Sequence, residues 1–167
     1  MGRRQLGFSL LELAVVVVVL SSLCGILLLR LNYYQEAVER TRFEMQLQIY
    51  KTGLQVRLAE MIIQRREQDA RRLEDENPTL WLSEKPTNYV GDYRQPPGVG
   101  NWYYDSSSRE LVYVANTAGG LSVEPRDGVK QLRFRVQIIR QPVAITGGRV
   151  EGIAGIKLIP VTAYQWG

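Results

Sequence analysis

Residues 5–20 of the chain read QLGFSLLELAVVVVVL, in which a single carboxylate, Glu12, stands at the start of a long apolar run. From Leu13 to Leu29 the run contains no charged residue. As a helix rising about 1.5 Å per residue, this run is about 26 Å long, or about 33 Å if the helix starts at Phe8. Because the hydrocarbon core of a bilayer is about 30 Å thick, the sequence predicts a membrane-spanning helix.

Basic residues flank this helix unequally. Arg3 and Arg4 precede it, whereas Arg30 alone follows it directly. Since Lys and Arg are enriched on the cytoplasmic side of membrane helices, we expect a single pass with the N-terminus in the cytoplasm.

Three ordinary explanations compete for this segment. A cleaved secretory signal needs a small-residue exit, of which residues 21–25 offer a loose version, and the apolar run continues beyond them. A lipoprotein signal would use Cys24, but the bulky Leu23 stands where a small residue is expected. A plain anchor leaves Glu12 unexplained, because a carboxylate in a spanning helix costs about 2.5 to 3.5 kcal/mol.

Composition narrows the functional class. The 167 residues include no histidine, and the single cysteine, Cys24, lies in the apolar run. The commonest general base, an intrachain disulfide and Cys/His metal sites are therefore excluded. The sequence has no nucleophile elbow, phosphate-binding loop or metalloprotease motif, so we expect neither an enzyme nor a cofactor or metal site. Because 21 basic residues nearly balance 17 acidic ones, we expect no direct nucleic acid binding.

The chain after the apolar run has the pattern of an amphipathic helix. We expect one nearly continuous helix from Phe8 to about Arg66, which Asn77-Pro78 ends at the latest. A first apolar row is expected to pack on a sheet: Phe43, Leu47, Tyr50, Leu54, Leu58 and Ile62. A second row is expected to widen the buried face: Met45, Ile49, Val56 and Ile63.

Short strands are predicted in the rest of the chain. Residues 79–95 are interpreted as a connecting loop, and residues 101–114 as a hairpin with its turn at 105–109. The hairpin aromatics are interpreted as cross-strand packing pairs rather than a recognition surface: Trp102, Tyr103, Tyr104 and Tyr113.

Two further strands are expected near the C-terminus. Alternation over residues 131–138 predicts a half-buried strand. A last strand is predicted over residues 153–161, in which Gly152 and Gly155 suggest a bulge or a close crossing of the chain and Pro160 suggests an edge position. The predicted fold class is α+β, with a long N-terminal helix packed on a small antiparallel β-sheet.

Gly7-Phe8-Ser9-Leu10-Leu11-Glu12, between a short basic leader and an apolar helix, resembles the processing site of type IV pilins and of type II secretion pseudopilins. The resemblance implies that prepilin peptidase, an aspartic protease, cuts between Gly7 and Phe8 and methylates the new Phe8 amine. Arg3 and Arg4 would supply the leader charge. It also implies that Glu12 of an incoming subunit meets the amine of a subunit already in the fibre and sets the axial register.

The same resemblance implies an organisation in four segments. They are a cleaved basic leader (1–7), a transmembrane and fibre-core half of the helix (8–30), its amphipathic half (31–76) and an extracytoplasmic β-sheet head (77–167). The implied partners are prepilin peptidase, other pilin or pseudopilin subunits, and the inner-membrane assembly platform with its ATPase. The implied location is the bacterial inner membrane, with the head in the periplasm, and then a pilus or pseudopilus fibre.

Departures from the family pattern limit the assignment. Many major pilins carry a C-terminal disulfide, which one cysteine cannot form, and no acidic residue follows Glu151 to build the calcium site of the major pseudopilin. One known minor pseudopilin lacks the glutamate that Glu12 supplies. We therefore expect a minor pilin or minor pseudopilin, serving pilus biogenesis or type II secretion. The alternative is a single-span envelope protein whose extracytoplasmic domain binds a ligand or protein.

Overall fold

The computed structural model describes residues 10–117, 119–145 and 148–167. One long helix, α1 (Leu10–Ile63), is followed by two short 3-10 helices, Glu67–Glu74 and Pro78–Trp81. The described residues contain seven strands: β1 (Tyr89–Asp92), β2 (Asn101–Asp105), β3 (Glu110–Val114), β4 (Leu121–Ser122), β5 (Gln131–Ile145), β6 (Gly148–Pro160) and β7 (Gln165–Trp166). The contacts divide the chain into two compact units, residues 1–38 and 39–167. The α+β class with a long N-terminal helix is confirmed.

The end of α1 is set by its backbone hydrogen bonds. Arg65 adopts a left-handed conformation with φ 57°. Its N–H donates to the Ile62 carbonyl at 3.0 Å, and the Arg66 N–H donates to the Met61 carbonyl at 2.8 Å. This pattern satisfies carbonyls that a helix end otherwise leaves without donors. The segment expected to be helical over 31–76 is therefore an α-helix to Ile63 and a separate 3-10 helix after it.

The strands form a five-stranded sheet in the order β1-β2-β3-β5-β6 and a two-stranded sheet of β4 and β7. The hairpin of β2 and β3 is confirmed, and the β2/β3, β3/β5 and β5/β6 pairs are antiparallel. β1 instead runs parallel to β2, so the sheet is mixed rather than purely antiparallel. β1 lies in the segment interpreted as a loop. It is short, and Gly91, at φ 122°, interrupts its register.

The first apolar row of α1 packs on the sheet as predicted, except at its last position. Phe43 stacks on Trp102 with ring centroids 5.6 Å apart and planes 8° from parallel. Trp102 lies opposite Tyr113 in the β2/β3 register, and their rings are 5.0 Å apart. The helix residues buried in this core are Phe43, Leu47, Tyr50, Leu54, Leu58 and Met61. All four hairpin aromatics are buried, which confirms their packing role: Trp102, Tyr103, Tyr104 and Tyr113.

The second apolar row is not buried, and the prediction that it widens the core is wrong. The exposed fractions are 59% for Met45, 45% for Ile49, 53% for Val56 and 82% for Ile63, and Ile62 of the first row is 41% exposed. The sheet covers one stripe of the helix, and these side chains lie outside that stripe.

Strands β5 and β6 form a long hairpin, and each of the two strands is longer than predicted. The register shifts between Ile139, which pairs with Gly155, and Arg140, which pairs with Ile153. Of the two features that Gly152 and Gly155 suggested, the structure therefore has the bulge, and it lies beside Gly155. β6 is the last strand in the sheet order, which also confirms the edge position of Pro160.

Candidate functional site

Five residues carry the predicted assembly site, and the structure describes one of them. Arg3, Arg4, Gly7 and Phe8 lie outside the described residues. Glu12 lies in the first turn of α1 and is exposed. An acidic side chain at this position interacts favourably with the partial positive charge of the helix N-terminus.

The helix surface after Glu12 is apolar and open. Within the described residues, α1 is the one helix long and apolar enough to cross a membrane, and its most apolar part has no buried residue. Leu10 is 87% exposed and Leu29 is 74% exposed. A helix that is apolar on all sides needs an apolar environment, which lipid or other apolar helices supply.

Polar groups inside this apolar segment are small and compatible with such an environment. The Ser22 hydroxyl donates to the Val18 carbonyl at 2.8 Å, so its hydrogen is satisfied within the helix. Cys24 is a free, exposed thiol. A side chain built at Gly25 would meet no atom within 4 Å. Glu12 is the one acidic residue in the part of α1 from Leu10 to Leu29, and it differs in this from the small polar residues around it.

The comparison with protein families identifies this segment. The model of the prokaryotic N-terminal methylation motif matches residues 2–28. Residues 2–28 are therefore similar to the N-terminal segment of type IV pilin-like proteins. The matched region contains Gly7, Phe8 and Glu12 together with most of the apolar helix, so the resemblance stated from the residues is confirmed. Neither the search of curated proteins nor the search of solved structures gave a match.

In the unit of residues 39–167, Glu39 makes a set of hydrogen bonds that the sequence analysis did not predict. Glu39, on α1, accepts hydrogen bonds from the Tyr113 hydroxyl at 2.8 Å and from the Asn116 and Thr117 backbone N–H groups, each at 2.6 Å. The Thr117 hydroxyl donates to the same carboxylate. Burial raises the pKa of Tyr113, and the bond to Glu39 raises it further. Glu39 thereby ties the segment after β3 to the helix.

A buried ion network occupies the sheet face opposite the helix, and it was also missed. Arg133, in the strand position expected to face solvent, donates to Asp105 at 2.8 Å and to Glu110 at 3.0 Å. Its guanidinium lies 4.9 Å from the centre of the Tyr93 ring. Arg135 donates to the second oxygen of Glu110 at 2.7 Å. The buried Arg133 and Glu110 thus compensate each other's charge, and the partly exposed Asp105 and Arg135 complete the network.

The charge state of this network follows from its contacts. Burial opposes ionisation of Asp105, but hydrogen bonds from Ser107, Arg133 and Ser108 outweigh it and hold the pKa of the carboxyl well below its usual range. Burial lowers the pKa of Arg133, whereas Asp105 and Glu110 raise it, and the net shift is upward. Asp105 and Arg133 therefore stay charged at neutral pH, and the contacts of Arg133 tie β2 and β3 to β5.

Proposed function

We propose that the chain is a structural subunit, a minor pilin or minor pseudopilin, of a type IV pilus-like fibre. The observation that carries the proposal is the methylation motif at residues 2–28, which leads directly into a helix with an exposed apolar surface. The role is structural rather than catalytic, and serves pilus biogenesis or type II protein secretion.

In the proposed cycle, the methylation motif is processed first, and the apolar helix then moves from lipid into the fibre. Prepilin peptidase removes residues 1–7 on the cytoplasmic side of the inner membrane and methylates Phe8. The apolar helix holds the subunit in the bilayer as a single pass, with the head in the periplasm. The assembly platform and its ATPase then transfer it into the fibre, where apolar helices of other subunits replace the lipid.

Glu12 gives this transfer a register. A carboxylate in an apolar surrounding costs about 2.5 to 3.5 kcal/mol unless a partner compensates it. The amine of Phe8 on a neighbouring subunit is the proposed partner. Because an unpaired charge on either side is costly, the pair favours one axial position over others.

Substitution of Gly7 tests the processing step. We expect Gly7→Leu to keep its leader and to stay in the membrane fraction, because a side chain at this position blocks close approach of the peptidase to the backbone. Gly25→Leu is the matched control, since a side chain there meets open space. Wild type and control should both lose the leader, as followed by immunoblotting in the native host. Normal cleavage of Gly7→Leu would contradict the proposed peptidase step.

A further inference from the structure

β6 lies at the edge of the five-stranded sheet, and its hydrogen bonds to β5 show which of its residues direct their backbone groups outward. The Val161 N–H donates to the Arg133 carbonyl at 2.8 Å, which places residue 161 in a hydrogen-bonded pair with β5. Because such pairs alternate along antiparallel strands, Ile159 and Lys157 also direct their backbone groups toward β5. The N–H and C=O groups of Ile156 and Leu158 therefore point away from β5.

Two features limit the open stretch. Pro160 is also a residue whose backbone groups point away from β5, and because proline has no N–H, it offers no donor there. At the other end, the bulge opposite Ile139 and Arg140 interrupts the ladder between Ile153 and Gly155. The usable edge is thus residues 155–159, which matches a short added strand. The opposite edge of the sheet, β1, is interrupted at Gly91, where φ is 122°.

A groove runs along this edge. Its volume is about 270 Å³, and its lining residues are Lys51, Gln55, Ile156, Lys157 and Leu158. The side chains of Ile156 and Leu158 are buried in the core that packs on α1. These two residues therefore line the groove with their backbone groups. The groove therefore offers backbone donors and acceptors beside the helix.

The charge at the groove is positive on both sides of the edge. Lys51 projects from α1 on the helix side of the sheet, and Lys157 alternates with the buried Ile156 and Leu158 and so lies on the other side. Within the described part of the chain, neither lysine forms an ion pair. A strand added here would bring successive side chains to Lys51 and to Lys157, because its side chains also alternate between the two faces.

We propose that the edge of β6 over residues 155–159 binds an extended segment of a partner protein that carries two adjacent acidic residues. Strand addition supplies main-chain hydrogen bonds, and the two lysines select the acidic pair. This surface consists of residues of the unit 39–167 and includes none of the methylation motif, so the inference does not depend on the proposed function.

Peptide binding to the full chain in detergent micelles tests the proposal. The probe is the fluorescently labelled peptide VTEDVT, and its matched control is VTKKVT. We expect fluorescence anisotropy at low salt to show binding of VTEDVT about tenfold tighter than of VTKKVT. A version of VTEDVT with every backbone nitrogen methylated should not bind, because it cannot donate to the β6 edge.

Charge reversal on the protein supplies the second arm. Lys51→Glu/Lys157→Glu should weaken VTEDVT binding about tenfold and reverse the preference toward VTKKVT. Lys85→Glu/Arg94→Glu changes the net charge equally at two exposed residues and should leave the preference intact. Absence of VTEDVT binding, equal binding of both peptides, or binding that survives backbone methylation would each overturn the proposal, as would an unchanged preference in the first variant.

Discussion

In the proposed function, Glu12 is the residue whose position distinguishes an assembling subunit from a plain membrane anchor. It is exposed in the first turn of a helix that is otherwise apolar as far as Leu29. Its pairing with the Phe8 amine of another subunit is the part of the proposed function that depends on a single side chain.

Replacement of Glu12 separates membrane insertion from fibre assembly. We expect Glu12→Ala to be inserted and processed normally, because the apolar run and the cleavage site are unchanged. Its amount in the sheared fibre fraction should fall about tenfold, since the Phe8 amine loses its charged partner. Glu12→Asp keeps the carboxylate and should retain part of the assembly. Wild-type levels of Glu12→Ala in the fibre would show that Glu12 does not set the register.

Asp105 predicts how the stability of the head depends on pH. Its folded-state pKa lies below the unfolded value of about 3.9, so the carboxylate stabilises the fold above that value. This contribution is lost as the pH falls through the folded-state pKa. At pH near 7, we expect Asp105→Asn to lower the free energy of unfolding by about 1 to 3 kcal/mol, because Arg133 loses a charged acceptor.

Urea unfolding of the full chain in detergent, followed by tryptophan fluorescence, measures this effect. The difference between wild type and Asp105→Asn should shrink as the pH is lowered from about 6 toward about 2. Asp92→Asn, at an exposed carboxylate, is the matched control and should have little effect at any pH. A difference that stays constant over this range would mean that ionisation of Asp105 does not stabilise the fold.

At the scale of elements, the periodic patterns were the most reliable guide. The buried row of α1 and the β2/β3 hairpin follow from spacing alone, because both elements bury one face against a common core. The same reasoning failed for Met45, Ile49 and Val56, since a pattern cannot tell how wide a stripe of the helix the sheet covers. β1 was missed because its sequence, Tyr-Val-Gly-Asp, is short and does not alternate between apolar and polar residues.

The hydrogen-bonded roles of Arg133 and Glu39 were not predicted, and the reason is different. Arg133 follows the alternation of a solvent-facing position, but the carboxylates that bury it come from β2 and β3. Glu39 is one acid among several on α1, and its acceptor role depends on the segment after β3. Such pairings over long sequence separation leave no local signal. The methylation motif was recognised because its residues are adjacent in sequence.

The end of α1 offers a test of backbone conformation. Arg65 has φ 57°, which a residue with a side chain adopts at a cost of about 1 to 2 kcal/mol. Arg65→Gly removes that cost but gains freedom in the unfolded chain, so we expect a net stabilisation of about 1 kcal/mol. Arg66→Gly, at φ −109°, is the neighbouring control and should destabilise. Urea unfolding of both variants measures the two signs, and a destabilised Arg65→Gly would contradict this account of the helix end.

On the scale of the whole molecule, the two units differ in what surrounds their apolar residues. The unit of residues 39–167 buries an aromatic core between α1 and the sheet, and on the opposite sheet face Arg133 binds two carboxylates. In the other unit, the apolar residues that the structure describes, from Leu10 onward, are exposed. This contrast is what a subunit requires if its head folds in water while its helix passes from lipid into a fibre.

The central claim is that the N-terminus is processed for assembly, and the most direct test is the intact mass of the protein purified from its native host. The account predicts a mature chain that lacks residues 1–7 and carries one methyl group, which fragmentation places on the Phe8 amine. An unmethylated chain that still begins at Met1, isolated from cells with active prepilin peptidase, would contradict it.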